Sequence, residues 1–486
     1  MAGGQARARD IPIPLPTSGV FVEAKTGKTS PIFASELHNL VTDGIALEVR
    51  RAYELGEEDD LALQRVPYAF GATPRYIELR AEQAECAGAT FARQFDGSAM
   101  VAYISSQAVM VDGLDLPVRY DGTIFETALF TTTTGALVQE FDGCIAHHDR
   151  LYFWKSNGTL EFYYGDVGAV MGALVQFPLD RLGNITGNML AAISVTIDAG
   201  ENNNDALAIY TTTGQIVVYE GLNPGDPNDW NLSVRMQVAP PVSRFAFTRV
   251  GGDVWVLTAR GLISLRDTLS QGSLALVNTL GRPVADEIRE LVDRPPVFDV
   301  PSATFLPNEW QLHTSADGSS VIVNFFAKDM QRQFIWNVES KGWQTGNYPA
   351  RHWHNLVLST DFTTDGGRIG ALQSEEDGTE AITAWWYTGW FTFNGEATVA
   401  YVKPTIIARG ELTVKVAVLR DHMDSAADIA QVQQIVTLSP EGAANESGKL
   451  SLNDEIPCGI TGTSFQLRIE VTATWAQIVD MAVGLE

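Results

Sequence analysis

Apolar and polar positions along this chain form a repeated pattern in which two short apolar runs flank a polar turn. The clearest copy is LYFWKSNGTLEFYY (151–164), where aromatic-rich runs enclose a turn at Lys155 to Gly158. Such a pair of runs predicts a β-hairpin, because period-2 runs form strands and glycine permits the chain to reverse. Further copies are ALAIYTTTGQIVVYEG (206–221), DVWVLTARGLISLRD (253–267), MVAYISSQAVMVDG (100–113), SVIVNFFAKDMQRQFIWNVESKGW (320–343) and HNLVLSTDFTTDGGRIGALQ (354–373).

The turns of these copies are marked to different degrees. Gly214 and Gly261 mark the second and third copies, and the last copy turns around Gly366–Gly367. The copy at 100–113 has Gln107 and Ala108 in place of a turn glycine, which makes it a weaker match. We therefore expect the hairpin at 100–113 to reverse at these two residues.

The spacing of the copies indicates the architecture. Gly158 and Gly214 are 56 residues apart, Gly214 and Gly261 are 47 apart, and Val101 and Leu151 are 50 apart. Four-stranded propeller blades repeat at about 40–50 residues, and loop insertions lengthen that period. Because isolated hairpins are marginal in water, the copies must share a core, which radial stacking provides. The sequence predicts a mainly β fold with a β-propeller of about six blades; one or several β-sandwiches are the alternative.

One helix is predicted between blades. The segment GRPVADEIRELVDRPP (281–296) has Pro283 near its first turn and early acidic residues, both typical of a helix N-terminus. Pro295 and Pro296 end it. An apolar stripe at helical spacing runs along it through Val284, Ile288, Leu291 and Val292.

The two ends of the chain differ from the repeated region. We predict an N-terminal docking or platform segment over 1–90, a propeller over 91–375, and a C-terminal β-rich platform over 376–486. The last segment contains long apolar runs typical of a sandwich-like sheet, to which the N-terminal segment adds strands. Within it, the polar stretch 421–455 is typical of a long surface excursion.

The charge balance excludes several classes of protein. The chain of 486 residues has 33 lysines and arginines against 59 aspartates and glutamates, a net charge of −26, which opposes tight nucleic-acid binding. No apolar run approaches the ~18 residues of a membrane-spanning helix, and the N-terminus lacks the apolar core of a signal peptide. The scattered cysteines Cys86, Cys144 and Cys458 argue against a disulfide framework or a zinc site.

Candidate metal ligands are few. His352 and His354 flank Trp353, so on a strand they share a face, but no third ligand follows from spacing. His147 and His148 are adjacent. Packing or rim histidines are the simpler interpretation of both pairs. The loop DAGENNND (198–205) offers hard oxygens suited to calcium without EF-hand spacing, so a solvated hairpin loop is favoured there. Its candidate ligands are Asp198, Glu201, Asn203 and Asp205.

Enzyme motifs are equally sparse. The chain has no P-loop, no dinucleotide-binding glycine pattern, no GxSxG elbow and no HExxH. SADGSSVI (315–322) begins like a sialidase turn at Ser315 and Asp317, but Gly318 is one position early and the tryptophan is missing. Trp385, Trp386 and Trp390 have the chemistry to stack on sugars, although core packing is commoner. We predict no catalytic, cofactor-binding or metal-binding residues.

Three stretches resemble the nozzle proteins (tail tubular protein B) of short-tailed bacteriophages. The first is the series of glycine-turned hairpins, above all 253–267. The second is SQGSLALVNTLGRPVADEIRELV (270–292), similar to that family's serine-then-helix segment between blades. The third, at 319–353, has Gln333 and Asn337 followed by a Gly342–Trp343 pair. The likeness covers about 90–370, and ASELHNLVTDGIALEVRRAYE (34–54) is a loose match to the family's opening segment.

This resemblance implies a structural virion protein rather than an enzyme, made in the host cytoplasm and placed in the viral tail. It implies six copies forming a ring below the adaptor ring and portal, with fibres or spikes held at the side. Double-stranded DNA is retained by this ring and passes through its lumen during ejection, without specific binding. Since carboxylates repel phosphate over about 8 Å at physiological salt, we expect a lumen lined by aspartate and glutamate.

Two other functions are consistent with a propeller. One is a tail module that binds or cleaves host glycans, which would require a carboxylate pair and aromatic platforms in one pocket. The other is a cellular scaffold for protein partners. Binding of saccharides would indicate the first of these, and failure to assemble with a portal and adaptor would indicate the second.

Overall fold

The computed structural model describes most of the chain and shows a mainly β protein. The described residues are 9–16, 34–42, 47–49, 53–55, 61–71, 73–156, 158, 160–179, 184–198, 203–271, 282–293, 310–327, 330–372, 381–421, 432–439 and 449–485. Five short strands precede the first complete sheet: β1 (Arg9–Pro12), β2 (Ala34–His38), β3 (Leu40–Thr42), β4 (Leu47–Val49) and β5 (Tyr53–Leu55).

Six separate small sheets are the blades of a β-propeller. The inner strands of blades 2, 3 and 4 contact one another in chain order, and the inner strand of blade 6 contacts that of blade 1, where the ring closes. Blade 1 contains β6 (Gln64–Tyr68), β7 (Arg75–Leu79), β8 (Gln83–Cys86) and β9 (Ala89–Ala92). Blade 2 contains β10 (Met100–Ile104), β11 (Gln107–Val111), β12 (Val118–Tyr120) and β13 (Phe125–Thr127). Blade 3 contains β14 (Phe130–Thr132), β15 (Gly143–His147), β16 (Arg150–Trp154), β17 (Glu161–Tyr164) and β18 (Gly172–Pro178), with β14 parallel to β18.

Blades 4 and 5 come next along the chain, and two helices follow blade 5. Blade 4 contains β19 (Met189–Asp198), β20 (Asn203–Thr211), β21 (Gln215–Glu220) and β22 (Asn231–Gln237). Blade 5 contains β23 (Phe247–Val250), β24 (Asp253–Thr258) and β25 (Gly261–Ser264). The helices are α1 (Leu265–Gln271) and α2 (Arg282–Asp293), and both pack on β25. Of the described residues, no helix is long and apolar enough to cross a membrane.

A four-stranded unit of the same design, here called the bridging sheet, lies between blades 5 and 6. It contains β26 (Gln311–Thr314), β27 (Ser320–Ala327), β28 (Met330–Asn337) and β29 (Gly342–Gly346). Blade 6 contains β30 (His352–Leu356), β31 (Ser359–Thr363) and β32 (Ile369–Leu372), and its outer strand is β5 from the N-terminal region. The pairing of β5 with β32 therefore joins the two ends of the propeller.

The remaining strands form a platform that is continuous with the bridging sheet through β2, which pairs with both β29 and β33. Its long strands β34 and β38 each pair with different partners along their length, and β1, β3 and β4 add to the same sheet. At about 3.3 Å per residue, the 19 residues of β34 extend about 60 Å. The platform strands are β33 (Ile382–Thr388), β34 (Phe391–Arg409), β35 (Leu412–Arg420), β36 (Gln433–Leu438), β37 (Lys449–Leu452), β38 (Ile456–Ala473) and β39 (Trp475–Leu485).

Apolar side chains between neighbouring sheets hold the ring together. Separate buried clusters lie between blades 1 and 2, 2 and 3, 3 and 4, and 4 and 5. One large cluster joins blade 5, α2, the bridging sheet and the platform, and a smaller one joins the bridging sheet to blade 6. Blade 6 meets blade 1 through a hydrogen bond from the Tyr76 hydroxyl to Asp361 Oδ2 at 2.9 Å.

The propeller, the six hairpins and the inter-blade helix are confirmed. Within the predicted helix, Val284 and Ile288 are fully buried, and Pro295 and Pro296 lie outside the described residues. The turn expected at Gln107 and Ala108 is wrong, because these residues begin β11. The reversal uses Ser105–Ser106, whose φ values of 48° and 59° are those of a two-residue type I′ turn.

Two predicted boundaries also change. The propeller does not begin at residue 91, since blade 1 starts at Gln64. Its four strands are short and Pro67 interrupts the apolar run of the first, so the sequence pattern is weak there. The polar stretch 421–455 is not wholly an excursion, because it contains β36 and β37, which pair with β35 and β34.

Candidate functional site

The two histidine pairs are packed between sheets of the propeller. His352 and His354 lie on β30, and both are buried. His354 makes an edge contact with Tyr76 at 5.1 Å, and His352 lies 5.8 Å from Phe245. Burial, together with the charges of Arg351 and Arg244, lowers the pKa of His352 to about 3, so its imidazole is neutral at pH 7. In the described part of the chain, no group of three or more histidine, cysteine, aspartate or glutamate side chains is placed to hold a metal.

The other pair links blade 3 to blade 4. His147 Nδ1 and the Ser194 hydroxyl are hydrogen-bonded at 2.9 Å. His148 Nε2 donates to the backbone oxygen of Asp205 at 3.1 Å. Burial lowers the pKa of His147 to about 4, and the neighbouring His148 adds to this effect. The geometry therefore gives this pair a role in holding neighbouring blades together.

The acidic loop at 198–205 connects β19 to β20. Asp198 pairs with Asn203 at the end of the ladder, which confirms the hairpin on both sides of the loop. Glu201 lies outside the described residues. Calcium binding at this loop stays an open alternative to the solvated turn.

The sialidase-like turn joins β26 to β27, and the hydrogen bonds of its carboxylate are made within the turn itself. The Ser315 hydroxyl donates to Asp317 Oδ1 at 2.6 Å, and the Ser319 backbone N–H donates to the same oxygen at 2.9 Å. Gly318 has a φ of +71°, which suits glycine at this reversal. A carboxylate bound to its own loop in this way serves the turn.

The tryptophans at 385–390 do not form one platform. Trp385 stacks on His38 with ring centroids 3.9 Å apart. Trp386, the next residue of β33, points to the opposite face and is buried in the platform core. Stacking on a sugar needs rings exposed on one face, which these two residues do not provide.

The axis of the propeller holds a feature that the sequence did not indicate. Arg244, just before blade 5, donates through Nη2 to the Ser98 backbone oxygen at 2.6 Å and through Nη1 to the Asp142 backbone oxygen at 3.1 Å. Its Nη1 also lies 3.2 Å from Asp142 Oδ2. Ser98 lies just before β10 of blade 2, and Asp142 lies just before β15 of blade 3. Because neither blade is a neighbour of blade 5 in the ring, the Arg244 side chain reaches across the centre of the propeller.

A cavity of about 370 Å³ lies on the axis beside Arg244. Inner strands of blades 2, 4 and 5 and of the bridging sheet contribute its walls. Both apolar and cationic side chains line it, among them Met100, Ile193, Arg244, Phe247, Arg249 and His313. A sequence signal for this site is hard to find, because Arg244 is held mainly by backbone oxygens more than 100 residues away.

The chain matches no family model and no curated protein. Several solved structures are similar to it. BamB from Moraxella catarrhalis matches at 12% identity over 68% of this chain and 98% of that chain, with a TM-score of 0.37. The WD40 β-propeller domain of Doa1 matches at 9% identity over 67% and 97%, with a TM-score of 0.38. The β-propeller domain of Cps50 (Swd1) from Myceliophteria thermophila matches at 10% over 70% and 99%, with a TM-score of 0.36. These likenesses concern the fold alone.

Proposed function

We propose that this chain is a structural subunit of a short viral tail, which forms a ring with further copies of itself and conducts DNA through the ring. The observation that carries the proposal is the bridging sheet. Its hydrogen-bonded strands continue into the platform, so the propeller and the platform share one sheet. A subunit that must hold against packaged DNA needs its parts fixed in orientation, and a shared sheet supplies this where a flexible linker does not.

One of the three stretches that carry the family resemblance supports the same proposal, since it builds this junction. The stretch 319–353 contains the bridging sheet from β27 to β29 and reaches the first residues of β30 in blade 6. Gln333 is buried there, donates through Nε2 to Asn324 Oδ1 at 2.8 Å and accepts from the Tyr348 backbone N–H at 2.8 Å. Trp343 is fully buried against Trp336. Motif residues with these contacts serve architecture, as expected of a structural protein.

The proposed conduit lies between copies of the chain. The axis of one propeller is crossed by Arg244 and holds a cavity of about 370 Å³, which is far too small for a duplex. With a net charge of −26 per copy, a ring has many carboxylates with which to line a lumen that repels phosphate. A stiff duplex needs a straight path at this scale, which a symmetric ring provides.

The test is assembly with the portal and adaptor proteins of the same virus. Light scattering measures the mass of the chain alone, with the portal, and with the portal–adaptor complex; electron microscopy then images the largest species. We expect a ring with an axial, DNA-sized bore to form only on the complete portal–adaptor complex, with aspartate and glutamate facing the bore. The proposal is contradicted if the chain stays monomeric in all three samples, or if the bore is lined by lysine.

A saccharide-binding assay on the same preparation separates the glycan alternative. The proposed structural role predicts no saturable binding of host polysaccharide. Saturable binding together with failure to assemble on the portal–adaptor complex would assign the chain to receptor recognition instead.

A further inference from the structure

We propose that the cavity on the propeller axis binds a small organic anion that also carries a hydrogen-bond donor, such as a hydroxylated aromatic carboxylate. In this assignment Arg249 meets the anionic group, His313 accepts the donor, and apolar residues of the inner strands contact the body of the ligand. The inference concerns the interior of a single propeller, so it does not depend on assembly into a ring.

The charge of the lining is the first argument. The chain has 59 acidic residues against 33 basic ones, yet two arginines and no aspartate or glutamate of the described residues line this cavity. An anion inside it therefore meets cationic side chains against partly apolar walls, where charge interactions are stronger than in water.

The two arginines have different roles. Arg244 is the structural one, because it lies beside the Asp142 carboxylate and is held by backbone oxygens across the axis. Arg249 is exposed and donates through Nη2 to a neutral acceptor, the Ser194 backbone oxygen, at 2.6 Å. No carboxylate within the described ranges pairs with Arg249. Its charge is therefore available to an anion, and its exposure gives that anion a route in from solvent.

The hydrogen bonds of His313 define the second contact. Asn355 Nδ2 donates to the Thr314 backbone oxygen at 2.8 Å, and Asn355 Oδ1 accepts from the Thr360 hydroxyl at 3.1 Å. That orientation makes Oδ1 the acceptor for His313 Nε2, at 2.9 Å, so Nε2 carries the proton. Burial lowers the pKa of His313 to about 4, so the ring is neutral at pH 7 and Nδ1 is an acceptor. A hydroxyl group of the ligand can donate a hydrogen bond to this nitrogen.

The remaining walls fit an aromatic or aliphatic body. Phe247, Ile193, Leu312 and Met100 line the cavity with apolar surface. Its volume of about 370 Å³ is at the small end of the ~300–1,000 Å³ of small-molecule sites, which suits a ligand with a single ring.

Isothermal titration with three matched probes tests the inference on the full chain. The probes are 4-hydroxybenzoate (anion and donor), benzoate (anion alone) and 4-hydroxybenzyl alcohol (no charge). We expect saturable binding that weakens in that order. The inference is overturned if no probe saturates up to about 10 mM, or if the uncharged probe binds as well as benzoate.

Variants at the cationic position make the test specific. Arg249→Gln keeps a donor for Ser194 but removes the charge, and we expect it to weaken benzoate binding at least about tenfold, with Arg249→Lys in between. Arg289→Gln is the matched control, since it removes one charge from a helix side chain that is 57% exposed and does not line the cavity. Equal weakening by Arg249→Gln and Arg289→Gln would show a general charge effect and refute the site. If Arg249→Gln fails to fold, the probe series on the unaltered chain still decides.

Discussion

A buried ion pair between blades 1 and 2 offers a sharp test of how the propeller is held together. Arg93 follows β9 and Asp112 follows β11, and their side chains are only 3% and 1% exposed. Arg93 Nη2 bonds to Asp112 Oδ1, and Nη1 donates to the Leu116 backbone oxygen at 2.8 Å. The Leu114 backbone N–H donates to Asp112 Oδ1 at 3.1 Å. Each charge therefore depends on the other for compensation.

Removing one partner leaves the other charge buried without a counter-charge. Asp112→Asn keeps the size of the side chain and an acceptor for Leu114, but leaves the Arg93 guanidinium uncompensated. Breaking buried pairs in this way costs about 3–5 kcal/mol, and we expect a loss of that size in the free energy of unfolding. Arg93→Met also loses the stacking of the guanidinium over Phe95, at 4.7 Å. The double variant Arg93→Met/Asp112→Leu should recover most of the loss, because no charge stays buried.

The pH dependence provides an independent check. Burial raises the pKa of Asp112, and Arg93 opposes that rise. Without Arg93, the pKa of Asp112 in the folded state rises further above its unfolded value of about 3.9. Between these two pKa values the folded protein holds a proton on Asp112 that the unfolded chain releases. Relative to the unaltered chain, Arg93→Met should therefore lose more stability as the pH rises through the folded pKa of Asp112.

Urea unfolding followed by far-UV circular dichroism and tryptophan fluorescence, at pH 5 and pH 8, measures these effects. The unaltered chain, Arg93→Met, Asp112→Leu and the double variant form a double-mutant cycle, in which we expect a coupling energy of at least about 2 kcal/mol. Asp112→Asn is measured beside them as the variant that keeps the size of the side chain. The reasoning is refuted if both single variants lose less than about 1 kcal/mol, or if the double variant loses the sum of the two.

Two further predictions concern packing and pH. A Cβ at Gly143 would overlap the indole of the fully buried Trp154, so Gly143→Ala should lower the free energy of unfolding by about 1–3 kcal/mol or more. Gly165→Ala is the control and should be tolerated, because the atom nearest to a Cβ at Gly165, Leu174 Cδ2, is 3.6 Å away. Equal melting temperatures for the two variants would contradict this. The pKa of His352 is about 3 in the fold against an ordinary value near 6.5, so it contributes stability above about pH 6.5 that is lost as pH falls towards 3. His352→Gln should flatten the fall in melting temperature between pH 7 and pH 4.5, and an unchanged profile would contradict that.

Local features of the fold followed from residue patterns. The run DVWVLTARGLISLRD becomes β24 and β25, with Thr258 opposite Gly261 across the turn, as the period-2 pattern and the glycine indicate. The turn at Ser105–Ser106 was missed because its two φ values are positive without any glycine. Turn chemistry is thus informative where it uses glycine and weak where serine takes a left-handed conformation.

Functional side chains were harder to predict from the sequence than strands were. The histidine and tryptophan candidates were visible as residue types, but their burial and partners set their roles. Arg249 and Arg244 gave no signal in the sequence, since the segment RFAFTRV (244–250) reads as an ordinary strand with basic ends. The cavity between them exists because four sheets converge on the axis.

The order of apolar and polar residues was enough to establish hairpins, their period and the helix at 282–293, because those features depend on neighbours a few residues apart. The partners of distant strands came from the assembled molecule: β5 completes blade 6 with residues 370–372, and β2 joins the bridging sheet to the platform. Every residue except proline offers the same backbone donor and acceptor, so composition does not specify which strand edge another will meet. That choice follows from closing the ring and covering the apolar faces together, which no local pattern encodes.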